Sequence, residues 1–139
     1  MTADTFSPER ILERALDTEM ISVEQLRQLN AAALPGVVPL DVRSVEEIRE
    51  GVIPGSALFP CEHNQVDRED TAIFSRCFHE RFRPEDFDPA KTYVLICRTG
   101  QRTAIALDVF QQHGLACCEL LGGIVEWRRH GLPLDPVSI

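Results

Sequence analysis

Residues 93–113 constrain the fold more than any other stretch. Tyr93-Val-Leu-Ile96 is short, wholly apolar and β-prone, and a few residues later the spacing becomes helical, with Ala104, Ile105, Ala106, Val109 and Phe110 facing inward and Gly114 as the stop. A strand that is apolar on both faces is buried on both, the habit of parallel sheets covered by helices. The alternation recurs. Residues 37–42 read as a strand, weakened at its start by Pro39, and Ser44 caps a short helix over 45–50 that Gly51 ends. Residues 117–121 read as another strand, followed by a helix over 123–130 that Gly131 ends. Upstream, residues 8–19 carry Ile11, Leu12, Ala15 and Leu16 at helical spacing, and Ser22-Val-Glu-Gln25 is a capping box opening a helix that Pro35-Gly36 terminates. Within 61–90 the residues are mixed and polar, with a helix expected in 74–82 and a loop bounded by Pro84 and Pro89. Strands alternating with helices predict an α/β fold with a mainly parallel central sheet and helices on both faces. Ligands of such folds bind at the carboxyl ends of the strands.

The chain has 139 residues, enough for one domain, and its 44% hydrophobic content suffices for a core without metal or disulfide staples. A net charge of −8 opposes non-specific nucleic-acid binding and docking on anionic lipid. It leaves room for a small anionic ligand at a locally positive site. No run has the length of a membrane span, and the opening MTADTFSPER lacks the basic-then-apolar order of a signal peptide. Five cysteines, an odd count, suit free thiols in a reducing compartment, so the cytoplasm is expected.

Cys97-Arg-Thr-Gly-Gln-Arg102, followed by Thr103, lies where a strand ends and a helix begins. The first-turn amides of a helix have no intrahelical partners, and the macrodipole adds partial positive charge there. Gly100 permits the tight curvature that aims successive amides inward, and Arg98 and Arg102 add full charges. An anion at the centre of this loop is stabilised, and the nearest candidate is the Cys97 sulfur. Thiolate is the nucleophilic form of cysteine, and helix N-termini with nearby cations favour it, so no histidine or aspartate general base is required. The competing reading is a small buried packing cysteine, which leaves the glycine and both arginines without a purpose.

These segments resemble the rhodanese-like domain family of sulfurtransferases. Cys97-Arg-Thr-Gly-Gln-Arg102 is similar to the family's active-site loop. Leu40-Asp-Val-Arg43 with Glu46-Glu47, Gly51 and Ile53-Pro-Gly55 resembles its first signature. Leu121-Gly-Gly-Ile-Val-Glu-Trp127 with Gly131-Leu-Pro133 resembles its closing one, and Ile21-Ser-Val-Glu-Gln-Leu26 its opening. Val52 stands where the family usually has His, Ser56 where Ala is common and Thr103 where Ser is common. The resemblance implies a rhodanese-like domain over 20–139 behind an N-terminal helical extension over 1–19. It implies a sulfurtransferase in which Cys97 takes a sulfane sulfur from a donor such as thiosulfate and passes it, as a persulfide, to a nucleophilic acceptor. Arg98, Thr99, Gly100, Gln101, Arg102 and Thr103 would form the substrate loop, with the Arg102 fork able to receive a sulfonate. The implied partners are a small anionic sulfur donor and a thiol or protein acceptor, with no cofactor. A binding or regulatory module that kept the fold without turnover is the second reading. A cysteine phosphatase or arsenate reductase is a distant third, because related phosphatases place five residues between cysteine and arginine where this chain has four.

Asp41 and Arg43 end a neighbouring strand. Asp41 either supports the loop by pairing with an arginine or joins a local salt bridge, and Arg43 is expected to fix the strand–helix turn. The Gly122-Gly123 pair and Trp127 read as turn and packing residues. Cys61-Glu-His63 and Cys77-Phe-His79 are four possible zinc ligands whose spacing matches no common zinc pattern, so no metal is expected, the cysteines should pack and both histidines should be exposed. Cys117 and Cys118 should point to opposite faces of their strand.

Overall fold

The computed structural model describes residues 7–139. Its elements run α1 (Pro8–Thr18), β1 (Met20–Ile21), α2 (Val23–Ala32), β2 (Val37–Asp41), α3 (Val45–Arg49), β3 (Ala57–Leu58), α4 (Ala72–Arg81), β4 (Thr92–Ile96), α5 (Gln101–Gln112), β5 (Ala116–Leu120) and α6 (Gly123–Arg129). Five strands form one sheet in the order β1-β5-β4-β2-β3, and every pair is parallel. β4 occupies the centre and is buried along its whole length, as its apolar sequence requires.

Helices cover both faces, each over its own core. On one side α4 and α5 pack Phe74, Phe78, Val109 and Phe110 against Leu40, Leu95 and Cys117. Phe74, Phe78 and Phe82 recur at intervals of four, so α4 and the residue after it present one aromatic stripe, joined by Phe87 and Tyr93 edge-to-face on Phe110. On the other side α1, α2 and α6 pack Ile11, Leu26, Leu29 and Trp127 against Ile21, Val94, Cys118 and Leu120. The helix expected over 8–19 forms as α1, ending at Thr18, and is docked on the sheet through Ile11 and Ala15. Cys117 and Cys118 face opposite cores.

β1 and β3 were absent from the sequence expectation because two residues cannot display a period; only pairing with β5 and β2 defines them. The capping box at Ser22 forms as read, and a second forms at Ser44 with Glu47. Beyond α6 the chain returns to the first signature: Val52 exchanges backbone hydrogen bonds with Asp135, at 2.9 and 2.7 Å. Trp127 donates to the Pro133 carbonyl at 2.9 Å and is a packing residue.

Candidate active site

Cys97 follows the last residue of β4, and α5 begins four residues later, so the loop between them stands at the carboxyl edge of the sheet. Gly100 is its pivot. With φ at +123° it occupies a conformation that L side chains rarely adopt, and this turns its N–H onto the Cys97 sulfur at 3.1 Å. The loop is also held from behind. The first turn of α6 donates to it through Ile124 N–H to the Cys97 carbonyl at 3.0 Å and Val125 N–H to the Arg98 carbonyl at 3.1 Å. That approach is open only because residue 123 is glycine, since a Cβ there would lie 2.4 Å from the Arg98 oxygen. Two of the loop's carbonyls are thus tied back to α6, while the Gly100 N–H faces the sulfur.

The two arginines of the loop have different fates. Arg102 is 5% exposed. Its two terminal nitrogens bond both carboxylate oxygens of Glu47 at 2.7 and 2.9 Å. Glu47 Oε1 also accepts from the Ser44 N–H and hydroxyl at 3.0 Å. Burial pushes the Glu47 carboxyl up, but the bonds from Arg102 and Ser44 outweigh it and bring it down to about 2. The expectation that the Arg102 fork receives a sulfonate is therefore corrected: the fork is already filled, and the residue ties α5 to α3. Arg98 stays exposed at the mouth.

Asp41 and Arg43 pair with each other. Nε and Nη2 of Arg43 reach the carboxylate at 3.0 and 2.8 Å, and Nη2 also donates to the Gly51 carbonyl at 2.8 Å. This is the local salt bridge fixing the strand–helix turn, and Asp41 bonds no arginine of the loop.

Cys97 is itself buried, and the pit lined by Cys97, Arg98, Thr99, Gln101, Arg102 and Arg68 has a volume of about 10 Å³. That is room for roughly one water-sized group. Arg68 was missed by sequence reasoning, since it sits in the irregular segment after β3 with no local signal tying it to Cys97. On the inner side Thr103 Oγ1 lies 3.7 Å from the Cys97 sulfur and 2.7 Å from a carboxylate oxygen of Glu119 on β5. Glu119 was also missed, although a glutamate inside an otherwise apolar strand is the signal that exposes such a group.

The two Cys-x-His pairs do not assemble as a set of four. Cys61, His63 and Cys77 border an open pocket of about 680 Å³ between α3, the segment after β3 and α4. His79 is exposed and bonds the Ser75 carbonyl of its own helix. His63 departs from expectation: its side chain is only 7% exposed and lies 3.5 Å from Glu47. Among the described residues, no cluster of three or more His, Cys, Asp and Glu has the arrangement of a metal site, and no helix is long and apolar enough to cross a membrane. The cysteines are free thiols. Burial pushes those of Cys61, Cys117 and Cys118 up to about 12, which keeps them protonated.

The chain is similar in sequence and in fold to known proteins. A sulfurtransferase of Allochromatium vinosum is 30% identical over 115 residues, 82% of this chain and 92% of that protein. A rhodanese-related protein of Thermoplasma volcanium superposes with a TM-score of 0.63 at 25% identity, covering 83% of this chain and 95% of that one. A Rhodopseudomonas palustris protein of unknown function, described as a possible tyrosine phosphatase, gives 0.62 at 27% identity over 93% and 94% of the two chains. The sequence profile of the Rhodanese-like domain matches residues 22–130, from the first capping box to the end of α6. With a profile match over most of its length and a parallel sheet that carries the cysteine loop on its central strand, this chain belongs to the rhodanese-like domain family.

Proposed function

We propose that the protein is a sulfurtransferase that carries a sulfane sulfur on Cys97. The Cys97 thiolate attacks the outer sulfur of a donor such as thiosulfate. A new S–S bond forms, the donor's own S–S bond breaks, and sulfite leaves with the electron pair. An acceptor nucleophile then attacks the outer sulfur of the persulfide, and the electron pair returns to Cys97 as thiolate. The thiolate and the persulfide both place negative charge in front of α5, where the Gly100 amide, oriented before the reaction, stabilises it without reorganising. Arg98 and Arg68, at the rim, attract the anionic donor. Thr99 and Gln101 wall the same pit.

The observation that carries this reading is the Gly100 N–H at 3.1 Å from the sulfur, above a pit that takes about one small group. A single sulfur suits that space, whereas a tetrahedral phosphate needs a wider ring of donors. Supporting it, the 30%-identical relative is named a sulfurtransferase, as is a Bacillus subtilis relative, putatively. A thiol or protein acceptor fits a cysteine loop at the carboxyl edge of the sheet, and a reducing cytoplasm fits five free thiols.

The test is to supply thiosulfate and then cyanide and follow thiocyanate. Wild type turns over and Cys97→Ser falls to background. Equal product from the two proteins overturns the proposal, and no product from either favours the binding-module reading.

A further inference from the structure

Glu119 is a carboxylate inside the central sheet, one strand from Cys97, with 9% of its surface exposed. Among the described residues it forms no ion pair with a cation. Its side-chain hydrogen bond is to Thr103, whose hydroxyl oxygen lies 2.7 Å from Glu119 and 3.7 Å from the Cys97 sulfur, within hydrogen-bond range for sulfur. A buried carboxylate without a counter-charge is costly to keep, and packing alone would be served by an apolar residue in this strand. The chain therefore has a hydroxyl placed between a buried acid–base group and the nucleophile.

We propose that Glu119 takes up, through the Thr103 hydroxyl, the proton that Cys97 gives up as it becomes the nucleophile. The S–H proton passes to Thr103 Oγ1 while the Thr103 O–H proton passes to Glu119. The products are a thiolate, an intact hydroxyl that now donates to it, and a neutral carboxyl that donates to the hydroxyl. One negative charge is moved and none is created, so the core never holds two anions side by side. When the persulfide is discharged and thiolate reappears, the proton returns by the same route. Glu119 acts through Thr103 and is a positioning residue for the proton. The inference rests on the sulfurtransferase reading for its role in turnover but not for its chemistry.

The surroundings of Glu119 suit the task. Burial pushes its carboxyl up, the Thr103 hydrogen bond pulls it down, and the charge of Glu19, before β1, pushes it up again, leaving it raised. The other titratable groups on its side are Cys97 beyond Thr103 and Cys117, two residues earlier on the same face of β5; Cys118, beside it in sequence, points to the opposite core, and both β5 thiols are kept protonated. The Arg102 guanidinium acts on Cys97 and is neutralised by Glu47. A carboxyl raised above its ordinary value is a better match for a thiol proton than an unshifted one.

The experiment follows Cys97 in wild type, Glu119→Gln, Thr103→Val and Thr103→Ser from acid to alkaline pH. It uses two readouts: alkylation by iodoacetamide, read by intact mass, and thiocyanate formation. In wild type both rates stay flat through neutral pH, with an acid limb where Glu119 titrates. In Glu119→Gln, whose amide still accepts from Thr103 and preserves the fold, the proton must leave to solvent. The rate then climbs in proportion to hydroxide and at neutral pH lies about tenfold to a hundredfold below wild type, converging with it in alkali. Thr103→Val gives the same climbing profile, the double variant adds nothing, and Thr103→Ser restores the flat shape. A Glu119→Gln profile that runs parallel to wild type overturns the relay. So does faster alkylation in Glu119→Gln, the result expected if Glu119 acts only as a repelling charge. Alkylation needs no sulfur chemistry, so profiles that differ as described while no protein makes thiocyanate sustain the relay and remove the sulfurtransferase reading.

Discussion

Consecutive residues at the start of α5 hold two glutamates, Glu47 half-buried and Glu119 buried, and the two could hardly differ more. Arg102 grips Glu47 with both ends of its guanidinium, and Ser44 adds two further donors. Thr103 offers Glu119 one hydroxyl, and the charge that acts on it, that of Glu19, is of the wrong sign. Burial raises both carboxyls; only at Glu47 do the partners reverse it, down to about 2. Residue type and burial alone do not determine what a carboxylate does. Glu47 is locked in its charged form and braces the loop, while Glu119 is left able to exchange a proton beside the nucleophile.

The comparison is tested most severely by making the same substitution twice. Glu47→Gln leaves the Arg102 guanidinium buried without its partner and should lower the unfolding free energy by about 3 to 5 kcal/mol in urea melts. Glu119→Gln should change it by less than about 1 kcal/mol, because an amide keeps the Thr103 bond and sheds a buried charge. Equal losses would erase the distinction.

Acid titration of stability separates the pair by sign. A carboxyl depressed from 4.5 to about 2 on folding stabilises fully above pH 4.5 and loses that contribution as pH falls toward 2. For Glu47 this is on the order of 3 kcal/mol. A raised carboxyl works the other way: Glu119 costs stability as pH rises above its unfolded value of 4.5. Glu47→Gln should therefore flatten the acid-side loss, and Glu119→Gln should flatten the decline above it.

Gly123→Ala probes the other brace of the loop. Its Cβ would collide with the Arg98 carbonyl at a φ of +61°, so a loss of about 2 kcal/mol is expected. Thiocyanate formation should fall with it as the Gly100 amide shifts from the sulfur. An unchanged rate would show that α6 does not hold the loop's geometry. The smallest effect is expected at the exposed rim: Arg98→Ala should raise KM for thiosulfate by about three- to tenfold, less so at high salt, with stability unchanged.

The architecture was readable because each long element announces itself locally. β4 is wholly apolar, α5 keeps its spacing to the glycine at 114, and Ser22 and Gln25 cap reciprocally within four residues. β1 and β3 are stabilised by partners distant in sequence and left no local trace. The site divides in the same way. Cys97, Gly100 and the start of α5 are contiguous, so the anion-favouring loop could be derived from six residues. The role of Arg102 could not, because Glu47 lies 55 positions upstream and captures the fork that would otherwise face a donor. Asp41 and Arg43 are two residues apart, so a local pair was one of the two readings open for Asp41 and the one expected for Arg43. His63 was misjudged as exposed because only the tertiary fold brings it to Glu47.

Every step of the proposed sulfur transfer requires that Cys97, among the five thiols, accept a sulfur from the donor. The direct measurement is the intact mass of the protein after thiosulfate, before and after cyanide, with the modified residue located by peptide mass. The expected result is a gain of one sulfur atom on Cys97, removed by cyanide and absent from Cys97→Ser. A protein that gains no sulfur from any sulfane donor, or gains it on another cysteine while Cys97 stays unmodified, contradicts the account.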